Sequence, residues 1–199
     1  MALVVGFDLD LTLVDSRPGI AAVWRALAAE TGVSVDVDVV CARLGPPLAE
    51  EMAHWFPAAE VPAAVARYRA LYPPLAVPVS PALPGAAEAL AAVRAVGGTS
   101  VVITAKLGRL ARLHLDHLGL RVDAVVGDRF GPGKSAAIRD LGVTVYLGDH
   151  PADMASARAA GVPGLGVPTG PHGAAALAAA GATEVLDGLA ALPRWLTRG

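Results

Sequence analysis

Short apolar segments alternate with helical segments from residue 86 onward, and this alternation permits few architectures. Strands are predicted over 100–104, 122–126, 143–147 and 164–167, and the helices between and around them over 86–96, 108–118, 134–141 and 152–160. Strands that alternate with helices form a parallel sheet with helices on both faces. The sequence therefore predicts an α/β fold with a doubly wound, mainly parallel, Rossmann-like sheet.

One further predicted strand lies far from the others along the chain. Residues 2–7 are apolar on both faces, as in a buried parallel strand. The apolar residues Ile20, Val23, Trp24 and Leu27 follow the spacing of an amphipathic helix, which Gly32 is expected to end.

Two more helices are predicted before the chain returns to the sheet, over 48–56 and 62–72. The proline-rich segment 73–85 predicts a linker, because its proline spacing does not suit a regular helix. We therefore expect an α/β core of residues 1–16 and 81–199, with an inserted α-helical cap of residues 17–80 over the strand ends.

Two carboxylates directly follow the first strand. Asp8 and Asp10 are residues i and i+2 of an extended segment, so both side chains can point into one small volume. Like charges this close need a cation or a shared proton, and Mg²⁺ with oxygen ligands is the simplest solution. An isolated Asp at a strand end is more often a turn or helix cap, so a functional role depends on further residues.

Further polar residues follow the later strands. Thr104 ends the second predicted strand, Lys134 begins a helix, and Asp149 and Asp153 follow Leu147-Gly148. The carboxyl ends of parallel strands lie along one edge of the sheet, where ligands bind, so we expect these side chains to converge there.

Two other lysine patterns bear on the site. Lys106, two residues after Thr104, is a competing cation for the site, although a solvated loop lysine is the simpler interpretation. Gly133-Lys134-Ser135 resembles the end of a nucleotide-binding P-loop, but Asp128 occupies the position of that motif's first glycine. A P-loop is therefore excluded.

Together these motifs resemble those of the haloacid dehalogenase superfamily over nearly the whole chain. They read Asp8-Leu-Asp10-Leu-Thr12, Val-Val-Ile-Thr104, Lys134 and Gly-Asp149-His-Pro-Ala-Asp153. Within the superfamily, the segments Leu-Val-Asp-Ser16 and 148–161 are most similar to the phosphoglycolate-phosphatase-like group. One departure is the segment Gly131-Pro-Gly-Lys-Ser135, where such phosphatases often carry Pro-x-Pro after the lysine.

The resemblance implies a phosphatase that forms an aspartyl-phosphate. Asp8 would be the nucleophile, and Asp10 the acid and base, which separates a phosphatase from the dehalogenase branch of the family. Thr104 and Lys134 would complete the catalytic set by contacting phosphoryl oxygens. Mg²⁺ would be held by Asp8, the main-chain carbonyl of Asp10, Asp149 and Asp153, the last either directly or through water.

Contacts with the rest of the substrate are less constrained by sequence. Thr104, Ala105, Lys134 and Arg43 are the predicted substrate-binding residues, with Arg43 and the loop 44–47 supplied by the cap. Arg17 is a weaker candidate. Trp24, Trp55, Tyr68 and Tyr72 are expected to pack within the cap or against the core.

The histidines have mostly non-catalytic interpretations. His114 and His117 are three residues apart on a helix but have no evident third ligand, so we interpret them as exposed imidazoles and not as a metal pair. His150 directly follows Asp149, and it is either a neighbour that supports the metal ligands or an exposed loop residue.

Composition argues against several classes of partner. The net charge is −2 and the 16 Lys and Arg residues form no cluster, so nucleic acid and anionic membranes are not expected partners. No apolar run reaches the roughly 20 residues of a membrane span, and the N-terminus has no secretory signal, so a cytoplasmic protein is expected. The lone Cys41 cannot form an internal disulfide.

The leading hypothesis is a Mg²⁺-dependent phosphatase acting on a small phosphorylated metabolite. A sugar-phosphate mutase of the same fold is the nearest alternative. A non-catalytic phosphate-binding or regulatory protein is the alternative from another class. A receiver-like phospho-acceptor is disfavoured by the inserted helical block, and the sequence leaves the substrate and the oligomeric state open.

Overall fold

The computed structural model describes residues 2–198, which contain one parallel sheet. Its strands are β1 (Val4–Phe7), β2 (Thr99–Ile103), β3 (Ala124–Val126), β4 (Val145–Gly148), β5 (Gly164–Gly166) and β6 (Glu184–Val185). They lie in the order β3-β2-β1-β4-β5-β6. The predicted α/β fold with a doubly wound sheet is confirmed.

The helices fall into two groups along the chain. The helical block, residues 17–79, contains α1 (Arg17–Thr31), α2 (Val37–Ala42), α3 (Leu48–Met52) and α4 (Val61–Ala76), followed by a short 3-10 helix (Val77–Val79). The helices that follow are α5 (Ala86–Ala95), α6 (Gly108–His117), α7 (Pro132–Asp140), α8 (Pro151–Ala160), α9 (Ala174–Ala179) and α10 (Leu192–Leu196). A second 3-10 helix, Leu189–Ala191, precedes α10.

Side chains that alternate along the strands separate two hydrophobic cores. Val102 of β2 faces a core that includes residues of α5, α6 and α10, whereas Val101 and Ile103 face a core that includes residues of α7 and α8. Tyr146 of β4 belongs to the second core, where its hydroxyl donates a hydrogen bond to the carbonyl of Ile103 (2.7 Å). Both faces of the sheet are therefore buried, which explains why its strands are apolar throughout.

The helical block has a hydrophobic core of its own. Trp24 of α1 packs against Tyr68 of α4, with ring centroids 5.5 Å apart, and Met52 and Phe56 are buried in the same cluster. The expected packing of these aromatic residues is therefore observed. The boundaries of the core (1–16 and 81–199) and of the cap (17–80) remain predictions.

The prediction that residues 73–85 form a linker is wrong in its first part. Helix α4 continues through Pro73 and Pro74 to Ala76. Each proline removes one helical N–H donor, which normally ends a helix. Here Tyr72 and Ala76 are fully buried, and their packing holds the last turn in place despite the missing hydrogen bonds. Only the later part of the segment, after Val79, returns to the sheet as an extended connection.

The remaining differences concern short elements. Helices α2, α9 and α10 and strand β6 each contain six residues or fewer, too few to give a clear sequence period. Among residues 2–198, no helix combines the length and the apolar character needed to cross a bilayer.

Candidate active site

Three neighbouring strands bring the predicted residues to one edge of the sheet. Asp8 follows β1, Thr104 follows β2 and Asp149 follows β4, and β1 lies between the other two strands. The backbone N–H of Asp8 extends the ladder by donating to the carbonyl of Leu147 (2.9 Å). This edge is the point where the strand order reverses, the usual ligand site of a doubly wound sheet.

Three carboxylates form a buried cluster at this edge. Each of Asp8, Asp149 and Asp153 offers an oxygen that lies within 4.8 Å of the other two. Burial and the nearby carboxylate of Asp153 raise the pKa of Asp8 to about 7, against the opposing effect of Lys134. Burial also raises the pKa of Asp149 well above its ordinary value, reinforced by Asp153 and Asp8. The cluster therefore carries more negative charge than its surroundings readily accommodate.

Lys134 lies within this cluster. Its Nζ donates hydrogen bonds to Oδ1 of Asp153 (2.6 Å) and Oδ1 of Asp8 (3.1 Å), and its side chain is 4% exposed. Burial favours a neutral amine, but these carboxylates hold the pKa of Lys134 well above its usual range. Lys134 stands in the first turn of α7, so the departure from Pro-x-Pro does not remove it from the site.

Small residues and hydrogen bonds fix the carboxylates. The Thr12 hydroxyl donates to Oδ1 of Asp149 (2.9 Å), while the backbone of Gly170 packs so closely on this carboxylate that any Cβ there would overlap it. Gly148 approaches Asp153 in the same way. Asp153 also accepts a hydrogen bond from the backbone N–H of His150 (3.2 Å), as part of the capping box of α8.

Asp10 lies at the same edge but has a different partner. Its Oδ1 is 3.0 Å from Nζ of Lys106, whose side chain is only 8% exposed. Although burial opposes it, Lys106, together with Ser16, lowers the pKa of Asp10 below its ordinary value. The interpretation of Lys106 as a solvated loop lysine is therefore wrong, because the helical block covers the loop after β2.

A cavity of about 230 Å³ separates this edge from the helical block. Residues that line it from the core include Asp8, Asp10, Thr104, Ala105, Lys106 and Asp149, and residues from the block include Trp24, Arg43, Leu44, Pro46 and Tyr72. Lys134 and Asp153 lie deeper, behind Asp8. The predicted site residues thus converge around one cavity, although their individual roles remain predictions.

Arg43 faces the cavity with its charge already paired. Its guanidinium bonds Oε1 of Glu51 (2.7 Å) and lies over the ring of Trp55, whose Nε1 donates to the same oxygen (2.8 Å). Arg17, the weaker candidate, pairs with Asp15 on the surface. The loop 44–47 does reach the core, since Gly45 packs closely on the ring of His150.

Sequence reasoning missed or misjudged several residues near the site. His114 is fully buried instead of exposed, with its Nε2 3.0 Å from the hydroxyl of Tyr72. Gly170 belongs to none of the motifs, although the proline-flanked segment 168–171 does mark a turn. These contacts join residues that lie far apart along the chain, so local sequence patterns could not reveal them.

Two protein-family models match the sequence of this chain. The model described as haloacid dehalogenase-like hydrolase matches residues 5–158, and a second model of HAD-like hydrolases matches residues 134–192. The chain belongs to the haloacid dehalogenase-like hydrolase family. The prediction of a hydrolase of this family is confirmed.

Individual relatives of this haloacid dehalogenase-like hydrolase are named phosphatases. A phosphoglycolate phosphatase from Rhodospirillum rubrum is 33% identical, over 98% of this chain and 91% of its own length. One from Caulobacter vibrioides is 31% identical, over 81% and 77%. A haloacid dehalogenase-like hydrolase from Streptococcus pneumoniae has the same fold, with a TM-score of 0.85 at 22% identity over 98% of this chain and 99% of its own.

The acidic cluster of this haloacid dehalogenase-like hydrolase suits a divalent cation. Asp8, Asp149 and Asp153 provide hard oxygen donors close together, at a place where burial and mutual repulsion already disfavour three free carboxylates. A compact ion with oxygen ligands, of which Mg²⁺ is the common example, would relieve this repulsion.

Proposed function

We propose that the protein is a Mg²⁺-dependent phosphatase that hydrolyses a small phosphomonoester through an aspartyl-phosphate. The observation that carries this proposal is the position of Asp8, which faces the cavity while its carboxylate contacts Lys134 and lies beside Asp149 and Asp153. A carboxylate in such a setting can approach a phosphate dianion, because cationic partners offset the repulsion between the two.

In the first step, an oxygen of Asp8 attacks phosphorus as the bond to the ester oxygen breaks. The bonding pair leaves with that oxygen, which takes a proton from Asp10. Lys134 supplies a fixed positive charge beside Asp8, and the buried Thr104, which lines the cavity, supplies a hydroxyl for the phosphoryl oxygens. The product of this step is an alcohol and phosphorylated Asp8.

In the second step, water replaces Asp8 on phosphorus. Asp10, now a carboxylate, takes a proton from the water as its oxygen attacks, and Asp8 departs as a carboxylate with inorganic phosphate as product. Lys106 favours this ionised form of Asp10. Both steps therefore use one residue, first as acid and then as base.

The predicted metal ligands are Asp8, the main-chain carbonyl of Asp10, Asp149 and Asp153. When bound, Mg²⁺ would offset the charge of the phosphoryl oxygens and of the attacking carboxylate. Thr12 and Gly170 fix the orientation of Asp149, so they support the metal site without contacting the ion themselves.

The helical block is proposed to act as a cap over the reaction. Its loop 44–47 and α4 line the cavity opposite Asp8, where they can exclude bulk water and contact the leaving group. Arg43 and Ala105 are proposed substrate contacts. Because relatives are named phosphoglycolate phosphatases, 2-phosphoglycolate is the first substrate to test.

The experiment measures inorganic phosphate released from 2-phosphoglycolate, sugar phosphates and nucleotides, with Mg²⁺ or with a chelator. We expect Mg²⁺-dependent release that Asp8→Asn lowers by at least about 10³-fold, as expected for the loss of a nucleophile. Asp116→Asn, an exposed carboxylate on α6, serves as the matched control and should behave like the wild type.

Other outcomes would point to the alternatives. Full activity in a pure Asp8→Asn sample would exclude Asp8 as the nucleophile. An isomerised sugar phosphate without free phosphate would favour a mutase. Mg²⁺ binding without turnover of any substrate in the panel would favour a non-catalytic phosphate-binding or regulatory role.

A further inference from the structure

A row of buried polar contacts leads from Asp10 into the helical block. Nζ of Lys106 lies 3.0 Å from Oδ1 of Asp10 and donates a hydrogen bond to the hydroxyl oxygen of Tyr72 (2.7 Å). That hydroxyl lies 3.0 Å from Nε2 of His114. The row thus ties the proposed acid and base to a tyrosine of α4 and a histidine of α6.

The charge of Lys106 fixes the direction of its hydrogen bond with Tyr72. A lysine ammonium can only donate, so the oxygen of Tyr72 accepts from Lys106. The Tyr72 hydroxyl and Nε2 of His114 share a further hydrogen bond, in which the tautomer of His114 decides which of the two atoms donates. The Tyr72 hydroxyl is thus held by hydrogen bonds on two sides, from Lys106 and with His114.

Two members of this row are buried in the interior of the protein. Tyr72 is 1% exposed and His114 is fully buried. The ammonium of Lys106, whose side chain is 8% exposed, lies between the hydroxyl oxygen of Tyr72 and the carboxylate of Asp10. A charge held in this way inside a protein interacts strongly with a neighbouring carboxylate.

We propose that Lys106 is a positioning residue for the Asp10 carboxylate, and that Tyr72 of the helical block holds Lys106 in place. Lys106 contacts Oδ1 of Asp10, which leaves Oδ2 to exchange the proton. This inference rests on the proposed function, in which Asp10 transfers protons. It means that Asp10 is fully positioned only while α4 is docked on the core, because Asp10 and Lys106 belong to the core and Tyr72 to the block.

A purely structural role for Lys106 makes a different prediction. A contact that only stabilises the fold would affect all substrates alike when it is removed. The loss of a residue that positions Asp10 would instead chiefly slow the substrates whose leaving oxygen needs a proton. An alkyl phosphate needs this proton, whereas p-nitrophenyl phosphate releases a stable anion and needs it little.

The test compares the release of the leaving group in a single turnover, which reports the first step alone. The substrates are p-nitrophenyl phosphate and the alkyl monoester that the wild type hydrolyses best. We expect Lys106→Met to slow the alkyl substrate about 100-fold and the aryl substrate less than about 3-fold, since proton transfer contributes rate factors of this size. Tyr72→Phe, which keeps the ring and removes only the hydroxyl, should show the same selectivity at about 10-fold.

Two controls accompany these variants. Arg109→Met removes an exposed cation three residues further along the chain and should leave both rates unchanged. Lys106→Arg keeps a cation in place and should restore part of the alkyl rate. An equal loss on both substrates in Lys106→Met and in Tyr72→Phe would overturn the inference, and so would unchanged rates in both variants. A faster alkyl rate in Lys106→Met would also overturn it, because loss of the cation favours the protonated form of Asp10 that donates in this step.

A crystal structure of Lys106→Met gives a readout that does not depend on turnover. We expect the Asp10 carboxylate to move by more than about 0.5 Å, the tolerance of a productive site. A carboxylate that stays in place would overturn the inference even if the enzyme is active. A wild type that hydrolyses no monoester would instead refute the proposed function, and this structure would still decide whether Lys106 positions Asp10.

Discussion

Glycines as well as acids determine the geometry of the carboxylate cluster. Asp149 is held from one side by the Thr12 hydroxyl and from the other by the backbone of Gly170, which leaves no space for a side chain. There is likewise no space for a side chain at Gly148, which lies beside Asp153. The proposed metal ligands therefore depend on glycines, which offer no functional group of their own.

A Cβ at position 170 should disturb Asp149. We expect Gly170→Ala to weaken the binding of Mg²⁺ about 10- to 100-fold, the usual effect of disturbing a residue that supports a metal ligand. The measurement is the Mg²⁺ dependence of phosphate release, supported by calorimetric titration of Mg²⁺. Gly173→Ala is the matched control, because that position is open and has an extended backbone that alanine adopts without strain. Equal Mg²⁺ affinity in both variants would contradict the assignment of Asp149.

At the level of single residues, sequence predicted the acids better than their partners. Asp8 and Asp10 were recognisable because they directly follow an apolar strand, which fixes their direction. The environment of Lys106 was misjudged, because its burial depends on Tyr72, 34 positions earlier in the chain. Gly170 became meaningful only once the fold brought it against Asp149.

At the level of secondary-structure elements, the contact between α4 and α6 is unusual because two polar side chains meet within it. His114 of α6 is buried against the hydroxyl of Tyr72, in an interface that is otherwise apolar. Burial, assisted by the nearby charge of Lys106, lowers the pKa of His114 from 6.5 to about 4. The imidazole is therefore neutral in the folded protein at pH values where the unfolded chain already binds a proton.

This difference in protonation predicts how stability depends on pH. Between about pH 6.5 and pH 4 the unfolded state binds the extra proton, so stability falls as the pH is lowered through this range. We expect His114 to contribute up to about 3 kcal/mol to this loss. Urea unfolding at several pH values should therefore show a shallower decline for His114→Gln. His117→Gln, an exposed histidine on the same helix, should decline as the wild type does, and identical slopes in all three proteins would contradict the prediction.

Helix α4 also shows a case in which local sequence patterns predict the end of an element wrongly. The period of residues 62–72 predicted its body, but Pro73 and Pro74 suggested an end that the helix does not have. Burial of Tyr72 and Ala76 outweighs the local cost of the prolines. The larger elements of the sheet were predictable because their apolar runs are continuous and lie between clear turns.

Over the whole molecule, the acidic cluster opposes the stability that the hydrophobic cores provide. Three carboxylates share one buried volume, and Lys134 is the cation between two of them. In the folded protein the pKa of Asp8 is raised from its ordinary value of 3.8 to about 7. Folding therefore becomes less favourable as the pH rises through this range, because the unfolded chain releases the proton first. A bound divalent cation would reduce this cost.

Mg²⁺ should therefore stabilise the folded protein. At a concentration about 100 times its Kd, Mg²⁺ is expected to add about 2.7 kcal/mol, or roughly 5 to 10 °C in Tm for a chain of this length. Calorimetry with Mg²⁺, compared with NaCl at equal ionic strength, measures this shift. Asp149→Asn should lose most of it, whereas Asp116→Asn should retain it. A shift of equal size in Asp149→Asn would argue against the proposed metal ligands.

The helical block occupies one continuous stretch of sequence, whereas the acids and Lys134 come from loops and helix starts that follow several strands of the sheet. A substitution in the block can change the far wall of the cavity and leave the acids and Lys134 in place. Related genes could thus diverge in the metabolites they accept while conserving one reaction. Tyr72 sets a boundary on that divergence, since a block lacking it would also lose its contact with Lys106.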